Sequence, residues 1–232
     1  MSFSSKAIRR HLAEGTIIIS PFREENLGDC SYDIRLGRYY YRETQPADGH
    51  TIYNPYSKED VGRVWGDHHI AQPLSQWLGI HGQHVSLKTG IKLDDLVIWL
   101  APGEMILAHS EEFIGGRERV TTEMKARSSI GRNFLTVCRC AGSGDVGYIS
   151  RWTMEIENSS RHYHIPLVVG RRIAQILFFE TEEVANDQQY PQRAGSKYQT
   201  TSDLEELQNR WTPSQMLPKM YDDYEARGVE II

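Results

Sequence analysis

Along residues 151–157 polar and apolar side chains alternate without a break. Trp152, Met154 and Ile156 fall on one side of an extended chain, and Thr153, Glu155 and Glu157 fall on the other. This period of two predicts a strand with one dry face. Shorter apolar runs, punctuated by Gly, Pro, Asn and Asp, recur at 16–20, 35–41, 85–87, 96–100, 105–109, 134–140, 148–156, 165–169 and 173–180, and they predict further strands. No long helical period separates them, so the pattern reads as an all-β sandwich or barrel. Short helices are expected near the two ends. Residues 6–13 put Ala7, Ile8 and Leu12 on one face, with Ser4 or Ser5 to cap the start and Gly15 to stop the end. Residues 204–210 follow Ser202 and Asp203 as caps, and Pro213 and Pro218 break what comes after.

Two stretches lose the pattern. From 43 to 79 it dissolves into Pro, Gly, Asn and mixed charge, with Trp65 and Trp77 as isolated anchors, which reads as long surface loops. Asp67-His68-His69, with His81 and His84 downstream, fits neither a metalloprotease helix nor a zinc-finger spacing, and solvated histidines are the expectation there. Residues 215–232 are polar and acidic, and both packing on a neighbouring subunit and disorder are open to them. A single domain over 1–201 with an extension over 202–232 follows from this organisation, and 232 residues are enough to bury a core. A net charge of -5 argues against a general nucleic-acid binder, so any cationic site must be local. Three cysteines, Cys30, Cys138 and Cys140, are too few for a disulfide framework and imply reduced thiols and a cytoplasmic setting. No apolar run suggests a signal peptide, an anchor or a membrane span.

Candidate chemistry is concentrated in 124–158. Residues 125–132 hold Lys125, Arg127 and Arg132 with Ser128 and Ser129, a combination suited to phosphate oxygens. Residues 141–148 carry Gly142, Gly144 and Gly147 around Asp145, which lets the chain turn and lets a flat ligand lie against bare backbone. The alternating strand then supplies Glu155. Singly, these features read as a solvated face, a turn and a wet strand edge. Their order suggests a phosphate site, a base platform and a carboxylate in one compact hairpin.

Several further motifs accompany them: Ser31-Tyr32-Asp33-Ile34-Arg35-Leu36-Gly37, Pro102-Gly103-Glu104, Arg127-Ser128-Ser129 with Arg132, Met154-Glu155-Ile156-Glu157-Asn158, Gly170 with 173–176, and Tyr190 ahead of Lys197-Tyr198-Gln199. Over residues 4–201 this set resembles the dCTP deaminase branch of the trimeric dUTPase superfamily. The resemblance implies a dUTPase-like β-sandwich or barrel, a homotrimer with shared sites, and a deoxyribonucleoside triphosphate substrate carrying Mg2+ on its phosphates. It implies Glu155 as the catalytic carboxylate and Ser128 as the hydroxyl that helps hold the water. Arg127 and Ser129 belong to the matching phosphate motif, and Arg132 is implied as a triphosphate ligand reaching across a subunit boundary. Ala141 matches the small residue beside the base and Asp145 a sugar contact. Tyr190, Lys197 and Gln199 match the covering tail.

Water attacking C4 of cytosine without a metal needs a carboxylate that accepts a proton and returns it; a second carboxylate at Glu157 is expected to raise the proton affinity of Glu155, or else to be only an exposed neighbour. A zinc route would need H-x-E with P-C-x-x-C; His109-Ser110-Glu111 supplies the first and nothing supplies the second. The tail continues Thr200-Thr201 where the family keeps a second amide, and the turn ahead of Asp145 is unusually small, so a modified cytosine remains open as the base. Hydrolysis of dUTP, alone or after deamination, is the alternative implied by Asp145. A non-catalytic nucleotide sensor is the third reading, opposed by the intact Glu155, Ser128 and Arg132.

Overall fold

A computed structural model describes residues 1–47, 49–81 and 90–226. In chain order the main elements are α1 (Ser5–Glu14), β1 (Ile17–Ser20), β2 (Tyr32–Arg42), α2 (Lys58–Trp65), β3 (His69–Ile70), β4 (Gln72–Pro73), α3 (Leu74–His81), β5 (Leu96–Leu100), β6 (Met105–Gly116), β7 (Val120–Ala126), α4 (Ser128–Gly131), β8 (Leu135–Thr136), β9 (Ser143–Gly144), β10 (Ile149–Asn158), β11 (Ile165–Val168), β12 (Arg172–Glu180) and α5 (Leu204–Arg210). The fold is mostly β, as the alternation predicts. Among the described residues a curled antiparallel sheet runs β8-β10-β6-β2-β12-β7-β9, and a small second sheet runs β11-β5-β4. The long β6 organises the larger sheet: β10 pairs along one edge, while β2 takes the first half of the other edge and β1 the second.

Burial follows the sequence pattern. Trp152, Met154 and Ile156 of β10 are buried with Ile34 of β2, Ile106 and Ala108 of β6 and Ile176 and Phe178 of β12. The helix α1 covers this core with Ile8; Ser4 caps it by accepting from the Ala7 N–H, and Gly15 ends it.

The recurrent motifs turn out to be structural joints. Arg35 and Glu112 form a buried pair: the Arg35 Nε donates to Glu112 at 2.7 Å and the Arg35 backbone N–H donates to the other carboxylate oxygen at 2.9 Å. Asp33 holds both Arg127 (3.2 Å) and Arg172 (3.1 Å). Asn158, fully buried, donates to the carbonyls of Leu100, Ala101 and Tyr163 and receives the Ser160 N–H, while Glu104 of the P-G-E turn accepts from Ala101 and pairs with Arg42. His109-Ser110-Glu111 is packing as well. His109 is buried between Tyr39 and Trp211, donates from Nδ1 to the Ser110 carbonyl and accepts the Tyr39 N–H, and burial pushes its pKa down to about 4.

Several expectations are corrected. Residues 43–79 are not only loop. Ser57 caps α2 by accepting from the Asp60 N–H, and Val61 and Trp65, one turn apart, bury its inner face. In α3, Leu74 is buried and Trp77 stacks on Trp99 at 3.9 Å over the small sheet. Only 135–136 of the expected strand 134–140 is extended and paired, because Phe134 (φ 63) and Cys138 (φ 59) are left-handed and break the run. The strand β7 lies where the sequence pattern predicted none; its mixed Thr, Glu and Lys content hides the buried Val120, Thr122 and Met124. The extension 202–226 folds back on its own chain: Met216 is buried with Tyr41, Val61, Trp65 and Leu107 in a second apolar cluster. The expected strand 85–87 and His84 lie outside the described residues. Among those described, no helix is long and apolar enough to cross a membrane.

Candidate active site

The face of β10 that turns away from the core opens into a cleft of about 660 Å³, and Thr153 and Glu155 line its floor. Ala141, Ser143, Asp145 and Tyr148 form one wall. The tail crosses the mouth with Tyr190, Arg193, Lys197 and Tyr198. An apolar wall drawn from β6, α2 and the extension, including Leu107, Met105, Trp65 and Met216, also lines the cleft.

Glu155 is half-buried, and burial raises its carboxyl above the ordinary carboxylate range. Arg139, half-exposed and paired with Glu157, lowers it without reversing the rise. The raised proton affinity therefore comes from desolvation, and the repulsion expected from Glu157 is not its source. Cys138 is buried nearby, and burial together with the Glu155 charge pushes its thiol up to about 11, so it stays a protonated packing group.

The glycine run is used against the protein rather than against an open platform. Gly144 of β9 pairs with Thr122 of β7, and a Cβ there would lie 2.6 Å from the Trp152 ring. Gly147 has φ +91, and a Cβ there would meet the Tyr190 carbonyl at 1.9 Å. These close approaches seat the tail on the cleft: the Tyr190 N–H donates to the Val146 carbonyl, and the Tyr190 hydroxyl accepts the N–H groups of Lys197 and Tyr198.

The tail residues are already engaged. Arg193 pairs with Asp145 and lies over the Tyr190 ring. Lys197 pairs with Asp223 of the extension, and the Lys219 Nζ donates to the Lys197 carbonyl at 2.9 Å. Gln199 stays outside the cleft. It is buried, accepts the Ile149 N–H and donates to the Gly147 and Thr201 carbonyls, so its amide is spent on anchoring the tail.

Of the residues singled out in the sequence, Glu155, Ala141, Asp145, Tyr190 and Lys197 are brought together. Arg127, Ser128, Ser129 and Arg132 are not. Ser128, Ser129 and Arg132 are exposed on or beside the short α4, away from the cleft lining, while Arg127 is held by Asp33. Sequence reasoning missed Tyr148, Thr153, Arg193 and Tyr198, although the alternation of β10 places Thr153 beside Glu155. It also missed the whole apolar wall, since α2 and the extension show no family motif.

The family model for dCTP deaminase-like proteins matches residues 2–181. A dUMP-forming dCTP deaminase of Methanoregula boonei is 27% identical over 191 residues, covering 82% of this chain and 87% of that protein. A dCTP deaminase of Natronomonas pharaonis is 29% identical over 201 residues, covering 86% and 90%. Among solved structures, 2'-deoxycytidine 5'-triphosphate deaminase from Agrobacterium tumefaciens aligns at 17% identity with a TM-score of 0.48, covering 80% of this chain and half the length of that one. The chain belongs to the dCTP deaminase-like family of enzymes.

Proposed function

We propose that this protein deaminates a deoxycytidine triphosphate by hydrolysis. Water adds to C4, the C4–N bond breaks, and dCTP plus water gives dUTP plus ammonia. The observation that carries this reading is Glu155: half-buried at the floor of the cleft, with its proton affinity raised by burial and its cationic neighbour Arg139 committed to Glu157. Such a carboxylate takes the proton of the attacking water and passes it to the ring and then to the leaving amine, which requires a group that both accepts and donates.

Tyr190 and Lys197 serve as the cover over sugar and phosphates, and Ala141 leaves room for the base. The triphosphate's charge calls for cations that the single-chain cleft supplies only in part, because Arg193 and Lys197 are paired with Asp145 and Asp223. Exposed Ser128, Ser129 and Arg132, with Arg127 behind them, are the natural complement when contributed by a second protomer, as in a homotrimer with shared sites. Ser128 then holds the water and Arg132 the phosphates. The donor set of the cleft, carboxylates set among lysine and arginine, fits Mg2+ arriving on the triphosphate and held by phosphate oxygens and water.

A second step to dUMP is favoured by one observation, that Asp145 lines the same cleft as Glu155. Incubation with dCTP or dUTP and Mg2+, followed by product separation, tests both readings. Accumulating dUTP and ammonia support deamination alone. The appearance of dUMP and pyrophosphate from dCTP supports the coupled reaction, and no product from dCTP or from a base-modified dCTP overturns the proposal.

A further inference from the structure

The apolar wall of the cleft sits beside the carboxylate at which chemistry is proposed. Glu155 on β10 is registered directly opposite Leu107 on β6, and residues so paired share one face of a sheet with their side chains in contact range. Leu107 is only 5% exposed, and it is packed with Tyr41, Val61 and Trp65 from β2 and α2 and with Met216 from the extension. Met105, paired with Glu157 one step along, continues the same surface, and Met220 and Tyr53 extend it towards solvent. The polar groups of the cleft, Ser143, Asp145, Arg193 and Lys197, come from the 141–148 wall and the tail.

This asymmetry orients a cytosine ring. With C4 held at Glu155, one ring edge carries N3 and the O2 carbonyl, and the other carries C5 and C6. Turning N3 and O2 to the side chains of Leu107 and Met216 would bury acceptors against groups that donate nothing, a cost of about 1–3 kcal/mol for each group. Turning C5 and C6 there costs nothing and removes apolar surface from water. The C5 position then faces a wall that continues beyond Leu107 to Met216 and Met220.

We propose that this wall is a subsite for a small apolar substituent on C5, so that the enzyme prefers 5-substituted deoxycytidine triphosphates, 5-methyl-dCTP above all, to dCTP itself. The inference rests on the deaminase reading and names the substrate class of that same site. Its specificity residues are Leu107, Trp65 and Met216. Two of these come from segments that sequence patterning treats as loop or tail, which gives α2 and the extension a role in substrate choice.

The test measures ammonia release from dCTP and 5-methyl-dCTP with Mg2+ across a range of substrate concentrations. One methyl buried against this wall is worth a kcat/KM ratio, 5-methyl over unsubstituted, of about three to ten. A ratio of one or less, with dCTP turned over normally, overturns the subsite and leaves the deaminase reading intact. No ammonia from either nucleotide overturns that reading and the subsite with it. Met216→Trp, which fills the wall, is expected to bring the ratio below one. Met220→Trp, at the wall's more exposed end, is the second variant should the first fail to fold, and an unchanged ratio in a folded variant overturns the assignment of the wall.

Discussion

Glu112 on β6 and Glu155 on β10 are both withdrawn from water, and burial raises the proton affinity of each. What surrounds them differs. Glu112 is fully buried and receives both the Nε and the backbone N–H of Arg35, whose NH1 also reaches Glu111 at 3.0 Å. Desolvation there is opposed in part by hydrogen bonds to the charged form, and the pair locks β2 to β6. Glu155 stands at the cleft floor, and its cationic neighbour Arg139 is committed elsewhere. The same residue type, on adjacent strands of one sheet, is a fastening in one place and the proposed proton carrier in the other. The difference lies in whether the neighbouring cation is free to pair with it.

Removing each carboxylate in turn should separate the two roles. Glu155→Gln is expected to lower kcat for ammonia release about a thousandfold or more, while calorimetric titration still detects dCTP binding. Retained turnover would take Glu155 out of the mechanism and erase the contrast. Glu112→Ala should act on stability instead. It leaves the Arg35 guanidinium buried without its partner, which is expected to cost about 3–5 kcal/mol in urea unfolding, with kcat preserved in the protein that remains folded. A smaller effect belongs to Gln199→Ala, which orphans the Ile149 N–H and the Gly147 carbonyl beneath the tail. Its expected cost is about 1–3 kcal/mol, seen in unfolding midpoints and as a raised KM from a loosened cover.

How far the sequence reveals these roles depends on the range of the interactions involved. The alternation of 151–157 is local, and it placed Glu155 on the wet face and Trp152 on the dry one, as found. The helix 204–210 was legible because Asp203 caps it from one position away. Asp33, Arg35 and Asn158 stood out as motif residues, yet their work depends on partners far along the chain, so the pattern marked them without explaining them. The strand β7 was hidden because its polar residues alternate with Thr122 and Met124, and Thr does not register as a core residue. The apolar wall was hidden for another reason: Trp65 and Met216 lie about 150 residues apart in sequence and meet only on the outer face of β6. Of the two readings of Glu157, the neighbour without influence fits better: desolvation raises Glu155, and Glu157 is paired with Arg139 from outside the alternating strand.

The smallest expected effect turns the comparison into a dependence on pH. The Glu155 carboxyl holds its proton more tightly in the folded protein than the ordinary value of 4.5 at which an unfolded chain releases it. Folding is thus favoured while the group is protonated and opposed once pH rises through the raised folded value, so at neutral pH the charged side chain destabilises the fold. Glu155→Gln removes that penalty. The variant should unfold at a higher urea concentration than the parent at pH 7, and the difference should shrink as pH falls below the ordinary carboxyl range. The parent's kcat/KM should fall over the same acid window, because the water needs an ionised base. Glu112→Gln should gain nothing at pH 7, because it leaves the buried Arg35 guanidinium without its counter-charge. A Glu155→Gln protein no more stable than its parent at neutral pH would mean that the carboxylate is solvated or paired, and Glu155 would then be another fastening like Glu112.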